Sequence, residues 1–333
     1  MEPKPHTLVL AAHGTQRIVL QRLEERYRVA RLGSLAICQE ILRLGSEEIS
    51  NVSVLVTPGG NQIPHVALER LPNLRLIACT SSGYDGVDMH SARALNIAVT
   101  NCPEVNASSV AEVAIGLLIA NMRRIFEANQ ILRTSGFLKP WPITTGLSDR
   151  RAGIYGLGAI GAKVARRLVA MEMEVGYCAR SARANAPYAY FEDVISLARW
   201  SDALIICVPA TEQTVKSIDS TVLSALGPGG YLVNVSRASV VDTEILCTFL
   251  ERQAIAGAGL DVCEAQYVPR LLMLPNATLT PHIGGSTAQA EAAMCDLVLR
   301  NVAAHFVGTN LLTPVVNETG AQMETVGGPV RGT

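Results

Sequence analysis

Three side chains with complementary chemistry, Arg237, Asp261 and His282, follow successive apolar runs in the second half of the sequence. A guanidinium can bind a carboxylate through two parallel hydrogen bonds. A histidine that titrates near neutral pH can donate a proton to a carbonyl oxygen while a hydride reaches the carbon. Taken singly, these residues have ordinary interpretations as a surface charge, a turn residue and a packed ring. Their joint placement favours the reduction of a carbonyl group in an acid.

The apolar runs that precede these residues have the length of β-strands. The predicted strands of the second half cover residues 152–155, 175–178, 204–208, 231–235, 257–262 and 277–280, and those of the first half cover 7–11, 52–56, 74–78 and 97–99. Helical patterns lie between them, which indicates an α/β protein with parallel sheets. Because ligands of such sheets bind at the carboxyl ends of the strands, we expect the three side chains to gather there.

A glycine-rich segment, Gly156-Leu157-Gly158-Ala159-Ile160-Gly161, joins the first of the later strands to a predicted helix. In this strand–turn–helix context such glycines indicate a dinucleotide-binding site. Gly156 permits the tight turn, Gly158 lets the backbone approach a pyrophosphate, and Gly161 lets the helix pack against the strand. The N–H groups that open the helix, at Ala159 and Ile160, are expected to bind the phosphates.

The residues after the next strand indicate which dinucleotide binds. An enzyme that uses NAD carries an Asp or Glu about 20 residues beyond the glycines, where it binds the ribose 2′-hydroxyl. That position holds Ala179, followed by Arg180, Ser181 and Arg183, and no carboxylate occurs between residues 175 and 188. Guanidinium groups suit a 2′-phosphate, so the sequence predicts NADP(H) as the cofactor.

Composition excludes several classes of protein. With 333 residues, 49% of them hydrophobic, the chain fits two folded domains. A formal net charge of −1 without a basic stripe argues against a nucleic-acid partner, and no apolar run reaches membrane-spanning length. The eight cysteines include no C-x-x-C pair, so we expect small buried thiols, no metal site and a cytoplasmic protein.

Two long helical stretches, 105–129 and 286–306, bracket the cofactor region and are the natural crossings between domains. We therefore expect a discontinuous substrate-binding domain of the flavodoxin-like type, from residues 1–101 and 284–333. Residues 102–283 would form an NADP-binding Rossmann domain. Both would be doubly wound parallel sheets, with the active site in the cleft between them.

Between about residues 50 and 316 the chain resembles the D-2-hydroxyacid dehydrogenases, and most of all their NADPH-dependent glyoxylate/hydroxypyruvate reductase branch. The resemblance rests on many ordered segments. They are 84–88 (YDGVD), 99–103 (VTNCP), 110–118 (VAEVAIGLL), 156–161, 179–181 (ARS), 234–242, 257–262 (GAGLDV), 280–282 (TPH) and 311–316 (LLTPVV).

The resemblance implies a role for each candidate residue. Arg237 binds the substrate carboxylate and carbonyl, and His282 is the general acid/base. The loop at Ser81, Ser82 and Gly83 gives backbone N–H groups to the carboxylate. Cofactor contacts are implied for Val208, Pro209, Thr214, Ser236 and Asp261, the last at the nicotinamide end. The helix that begins near residue 105 belongs to a homodimer interface, with Trp141 reaching the partner's substrate pocket.

Three departures from the family pattern bear on activity. In the family pattern the catalytic carboxylate lies five residues after the aspartate that corresponds to Asp261. This chain has Gln266 at that position. A carboxylate stabilises a charged imidazole and a glutamine does not, although Glu264 lies two positions earlier and could substitute. The second departure is in the substrate loop, which usually reads Phe-Gly-Val-Gly in the family and here reads Thr80-Ser81-Ser82-Gly83. The third is Ala238, which stands where the family usually has a glycine after the arginine.

The leading hypothesis is an NADPH-dependent enzyme that reduces glyoxylate, hydroxypyruvate or a related 2-oxo acid to a D-2-hydroxy acid. A formate-dehydrogenase-like oxidoreductase is an alternative, because the formate dehydrogenases of this superfamily resemble the chain in having glutamine at the place of Gln266. A non-catalytic dinucleotide-sensing scaffold is the other alternative. A sensor needs only the dinucleotide site, so the presence of Arg237, Asp261 and His282 together favours an enzyme.

Overall fold

The computed structural model describes residues 7–136 and 140–315. The predicted tail from about residue 317 lies outside these ranges, as do residues 1–6. The chain divides into two compact units, one formed by Met1–Val105 and Thr287–Thr333, the other by Asn106–Ser286.

The first unit is built on a five-stranded sheet with the order β2-β1-β3-β4-β5, in which all neighbours are parallel. Its strands are β1 (Leu8–Ala11), β2 (Arg28–Arg31), β3 (Val52–Thr57), β4 (Leu76–Cys79) and β5 (Ala98–Thr100). Its helices are α1 (Arg17–Glu24), α2 (Ile37–Leu42), α3 (Ser46–Asn51), α4 (His65–Glu69), α5 (Met89–Ala94) and, from the end of the chain, α13 (Ala288–Val307). The central strands β1, β3 and β4 are buried almost throughout, as expected for a parallel sheet covered on both faces.

The second unit is built on a seven-stranded parallel sheet with the order β12-β11-β10-β9-β6-β7-β8. Its strands are β6 (Arg151–Tyr155), β7 (Glu174–Cys178), β8 (Ala189–Phe191), β9 (Ala203–Ile206), β10 (Tyr231–Asn234), β11 (Gly257–Leu260) and β12 (Ala277–Leu279). Its helices are α6 (Ala107–Met122), α7 (Ile125–Ser135), α8 (Ala159–Ala170), α9 (Val194–Trp200), α10 (Ser220–Leu226), α11 (Thr243–Glu251) and α12 (Val268–Leu272). The strand order reverses at β6, between β7 and β9, and such a switch point is where ligands of doubly wound sheets bind.

The predicted class of two parallel-sheet α/β domains is confirmed, and three details of the prediction are wrong. Strands β2 and β8 were not expected, because both lie at sheet edges and are half exposed, so neither carries an apolar run. The single helix expected over residues 105–129 is two helices, α6 and α7. Arg124 separates them in the left-handed conformation, with a φ of 50°.

Within the described ranges, no helix is both long and apolar enough to span a membrane. The same ranges hold no group of three or more His, Cys, Asp or Glu side chains that could bind a metal ion. All eight cysteines are free. Cys79 and Cys178 are buried as expected, whereas Cys207, just after β9, is partly exposed.

Candidate functional site

The glycine-rich turn follows β6 and has the geometry that its sequence predicts. Gly156 has a φ of 100°, and a Cβ atom there would lie 2.9 Å from the backbone nitrogen of Val208. A side chain at Gly161 would collide with the carbonyl of Gly156. By contrast, apart from the adjoining backbone, no atom of the described residues lies within 4 Å of the position that a Cβ would take at Gly158. The turn is therefore packed tightly on its inner side and open at the one glycine that is expected to face a pyrophosphate.

Helix α8 begins directly at this turn, with Gly158 as its N-cap and no acidic residue in its first turn. Its first hydrogen bond runs from the N–H of Ala162 to the carbonyl oxygen of Gly158, at 2.9 Å. The N–H groups of Ala159, Ile160 and Gly161 thus have no acceptor within the helix. Such N–H groups, together with the positive end of the helix dipole, can bind an anion such as a dinucleotide phosphate.

The segment after β7 presents its two arginines to solvent. Arg180, Ser181 and Arg183 are exposed, and neither guanidinium is hydrogen-bonded or ion-paired to any described residue. The backbone is nevertheless held, because the N–H of Arg183 donates to the buried Tyr177 hydroxyl at 2.7 Å. Ala179 is partly buried at the end of the strand. A fixed backbone with two free cations is suited to binding a phosphate group.

The loop after β9 approaches the glycine turn from the strand that neighbours β6 in the sheet. Val208 is nearly buried against Gly156. Pro209 and Thr214 belong to a turn closed by the Thr214 hydroxyl, which donates to the carbonyl oxygen of Pro209 at 2.7 Å and accepts from the N–H of Thr211 at 2.8 Å. The structure therefore brings Val208 to the turn and gives Thr214 a role in shaping the neighbouring loop.

Arg237 follows β10 in a loop that is fixed by a buried asparagine. The side chain of Asn234 donates to the carbonyl oxygen of Arg237 at 3.0 Å and accepts from the N–H of Ser236 at 3.0 Å. The guanidinium is partly buried and donates to the carbonyl oxygen of Ser236 at 2.9 Å. These contacts hold the backbone on both sides of the arginine, which limits where its side chain can reach.

Asp261 follows β11 and binds the loop that carries His282. Only 2% of its surface is exposed. One oxygen accepts from the Thr280 hydroxyl at 2.6 Å and from the N–H of Ile283 at 2.8 Å, and the other accepts from the N–H of Gly284 at 2.9 Å. The carboxylate therefore holds the loop on both sides of His282.

His282 itself has a φ of 56°, in the left-handed region that residues other than glycine rarely adopt. Its N–H donates to the carbonyl oxygens of Asp261 and Thr280, both at 2.9 Å. The imidazole is exposed and makes no hydrogen bond or ion pair within the described ranges. The loop thus presents the ring to solvent from a strained and well-bonded backbone.

Gln266 and Glu264 contact each other. The amide nitrogen of Gln266 donates to a carboxylate oxygen of Glu264 at 2.9 Å, in one turn of 3₁₀ helix. Neither side chain is hydrogen-bonded to His282 in the described part of the chain. The role predicted for Gln266 beside the histidine stays a prediction. A substitution at either of these two positions removes or alters the hydrogen bond of the other side chain.

In the first unit, the predicted substrate loop follows β4 and is held by its neighbours. The Ser82 hydroxyl donates to the carbonyl oxygen of Cys102 at 2.7 Å, and the Asn101 side chain donates to the carbonyl oxygen of Ser82 at 2.7 Å. The backbone N–H groups of Ser81 and Gly83 donate to no described residue. Unpaired backbone N–H groups that lie close together in a loop can bind an anion.

Three residues of these loops were not expected from the sequence, namely Gly59, Asn101 and Asn234. The N–H of Gly59 donates to the Ser81 hydroxyl, and the two asparagines satisfy loop backbone groups. A Gly-Gly-Asn turn after a strand is a signal for Gly59. The two asparagines form contacts that depend on the folded chain.

Trp141 and helix α7 present apolar surface. Helix α7 has no buried residue, and Ile125, Phe126 and Leu132 are each about half exposed. Trp141 is 39% exposed, with the Arg124 guanidinium 5.4 Å from the centre of its ring. Residues 137–139 of the segment before Trp141 lie outside the described residues. An exposed apolar helix of this kind is typical of a protein interface.

The chain is similar to known proteins in both sequence and structure. The family model described as D-isomer specific 2-hydroxyacid dehydrogenase, NAD binding domain, matches residues 115–284. A hydroxyphenylpyruvate reductase from Plectranthus scutellarioides is 37% identical over 299 residues, which cover 89% of this chain and 95% of the relative. A glyoxylate/hydroxypyruvate reductase A from Arabidopsis thaliana is 39% identical, with 74% and 80% covered.

Among solved structures, an NADPH-dependent glyoxylate/hydroxypyruvate reductase from Sinorhizobium meliloti, in complex with NADP and malonate, superposes with a TM-score of 0.86. It is 35% identical, and the match covers 93% of this chain and 97% of that one. The similarity therefore extends over both units and is not confined to the dinucleotide-binding motif. The chain belongs to the D-isomer specific 2-hydroxyacid dehydrogenase family.

Proposed function

We propose that the protein reduces small 2-oxo acids to 2-hydroxy acids with NADPH. The observation that carries the proposal lies within the second unit. Strands β10, β11 and β12 are neighbours in the sheet, and Arg237, Asp261 and His282 follow them in that order. A cation, a buried carboxylate and a histidine thus stand at one edge of the sheet. A dinucleotide-sensing scaffold has no use for this set.

The cofactor proposal rests on the fit between the dinucleotide and the residues present. The open position at Gly158 and the free N–H groups that begin α8 suit the pyrophosphate, and Arg180 and Arg183 suit a 2′-phosphate. Val208, Pro209, Ser236 and Asp261 are proposed to line the remainder. When bound, NADPH supplies the hydride for the reduction. The solved relative from Sinorhizobium meliloti holds NADP, which supports this choice.

The protein's own groups bind the acid and move the proton. Arg237 pairs with the carboxylate in two-point fashion and polarises the carbonyl oxygen. His282 holds a proton at a ring nitrogen and donates it to that oxygen as the carbonyl carbon is reduced. The free N–H groups of Ser81 and Gly83 bind the carboxylate as a small anion site. Relatives named for glyoxylate, hydroxypyruvate and hydroxyphenylpyruvate support 2-oxo acids as the substrate class.

We further propose that the protein is a homodimer joined through α7 and the segment that carries Trp141. The described residues leave the apolar side chains of α7 about half exposed, and a second copy of the same chain supplies an equally apolar surface. Such isologous contacts are the commonest basis of homodimers. Trp141 would approach the substrate pocket of the partner.

The proposed reaction can be measured by the oxidation of NADPH with a panel of 2-oxo acids, and by formate with NADP⁺ as the alternative. Arg237→Lys keeps the charge but loses the planar fork, and should raise KM and lower kcat strongly. His282→Ala should lower kcat by about 10²–10⁴-fold while NADPH still binds. Arg252→Ala, an exposed arginine at the end of α11, is the matched control. Formate oxidation without 2-oxo acid reduction contradicts the proposal.

A further inference from the structure

The Ser81 hydroxyl connects two loops of the first unit that follow neighbouring strands. It accepts a hydrogen bond from the N–H of Gly59, in the loop after β3, at 2.9 Å. It donates to the carbonyl oxygen of Gly83, in its own loop after β4, also at 2.9 Å. Both hydrogen-bonding directions of the hydroxyl are therefore used.

The loops are in close contact at this point. A Cβ atom at Gly59 would collide with the backbone carbonyl of Gly83 and would come within 2.8 Å of the Ser81 oxygen. On the other side, the N–H of Cys102 donates to the carbonyl oxygen of Ser81 at 3.0 Å. The loop Thr80–Gly83 is thus held by hydrogen bonds from the segments that follow β3 and β5. The bond from the segment after β3 is made to the Ser81 hydroxyl.

We infer that Ser81 is a positioning residue for the substrate carboxylate: its hydroxyl holds the loop Thr80–Gly83 in the conformation that leaves the N–H groups of Ser81 and Gly83 free to bind. This inference rests on the proposed function. A glycine at this place would have no hydroxyl and would allow more conformations. A loop that is already ordered loses less conformational entropy when the acid binds, so the serine strengthens binding without touching the reacting atoms.

Two substitutions separate the hydroxyl from the backbone. Ser81→Ala removes both hydrogen bonds and keeps the Cβ atom, whereas Ser81→Gly also removes the Cβ atom and frees the backbone. We expect KM for glyoxylate to rise about 5- to 50-fold in Ser81→Ala and at least as much in Ser81→Gly. The value of kcat at saturation should stay within about threefold, because neither Arg237 nor His282 is altered. Ser50→Ala, which removes an exposed hydroxyl bond on α3, is the matched control.

Two further readouts do not depend on turnover. The dissociation constant of malonate, measured by calorimetry with NADP⁺ present, should rise in parallel with KM. Hydrogen exchange of the peptide that contains Gly59 should become faster, because its N–H loses its acceptor. Wild type without reductase activity contradicts the proposed function, and malonate binding and exchange then still decide the role of Ser81. Unchanged KM and malonate affinity in both variants overturn the inference, even where exchange at Gly59 is faster.

Discussion

Replacing Asp261 by asparagine tests whether this residue acts by holding the His282 loop. The substitution preserves size but leaves one acceptor oxygen where the carboxylate has two. If the amide oxygen faces Thr280 and Ile283, the amide nitrogen faces the N–H of Gly284, and two donors oppose each other. In the flipped orientation the N–H of Ile283 loses its acceptor. At least one backbone donor is left unsatisfied in either case.

The cost follows from these hydrogen bonds. An unsatisfied buried N–H group costs about 1–3 kcal/mol, and hydrogen bonds to a charged acceptor are worth more than those to a neutral one. Together these effects predict a loss of about 2–4 kcal/mol in the free energy of unfolding of this region. Because His282 occupies a left-handed conformation that costs about 1–2 kcal/mol, the weakened loop should leave that conformation. We expect kcat to fall about 10- to 100-fold, because a catalytic group that is misplaced by about 1 Å can lower the rate by this much.

The assay compares kcat, the dissociation constant of NADPH measured by fluorescence, and the thermal unfolding midpoint. A positioning role predicts a lower kcat and midpoint with NADPH affinity within about twofold of wild type. Asp219→Asn, at the N-cap of α10, is the matched control, because asparagine and aspartate cap helices about equally well. An unchanged kcat with weakened NADPH binding would show that Asp261 is chiefly a cofactor ligand, and would refute this reasoning.

Three further predictions concern the cofactor, the histidine's neighbours and the assembly. Replacing Arg180 and Arg183 together by alanine should raise KM for NADPH at least tenfold for each charge-assisted hydrogen bond that the phosphate no longer receives. KM for NADH should change little. An equal rise in KM for both cofactors contradicts this prediction. The double variant Gln266→Glu/Glu264→Gln should keep reductase activity to higher pH if position 266 faces His282, since a carboxylate stabilises the charged ring. An unchanged pH profile of kcat would show that neither residue faces His282. Phe126→Glu should convert a dimer into a monomer by light scattering at micromolar concentration, and a monomeric wild type removes the basis of this expectation.

Local patterns in the sequence were sufficient for most of the architecture. The central strands are apolar runs between helical patterns. The tight turn after β6 could be predicted from its glycines, because Gly156 has a positive φ and Gly161 has no room for a side chain. Strand β2 could not be found in this way, because its ends are exposed arginines and it is held mainly by pairing with β1. The break between α6 and α7 at Arg124 could not be predicted either, because no glycine or proline lies there. An ion pair between Arg124 and Glu127 instead accompanies the left-handed residue.

Interactions between distant residues account for what the sequence could not supply at the candidate site. The sequence identifies Asp261 and His282, but the hydrogen bonds that join Asp261 to the loop appear only once β11 and β12 are paired. Likewise, the sequence predicts Ser81 as a substrate-binding residue, whereas its link to Gly59 spans 22 positions. Side chains that satisfy backbone groups of another loop depend on the fold as a whole.

The most direct measurement is the oxidation of NADPH, followed by its absorbance, when glyoxylate or hydroxypyruvate is added to the purified protein. We expect oxidation that depends on the acid, that is much faster with NADPH than with NADH, and that is nearly abolished by Arg237→Ala. Absence of oxidation with every 2-oxo acid tested, or equal catalytic efficiency with both cofactors, would contradict the proposed NADPH-dependent reductase.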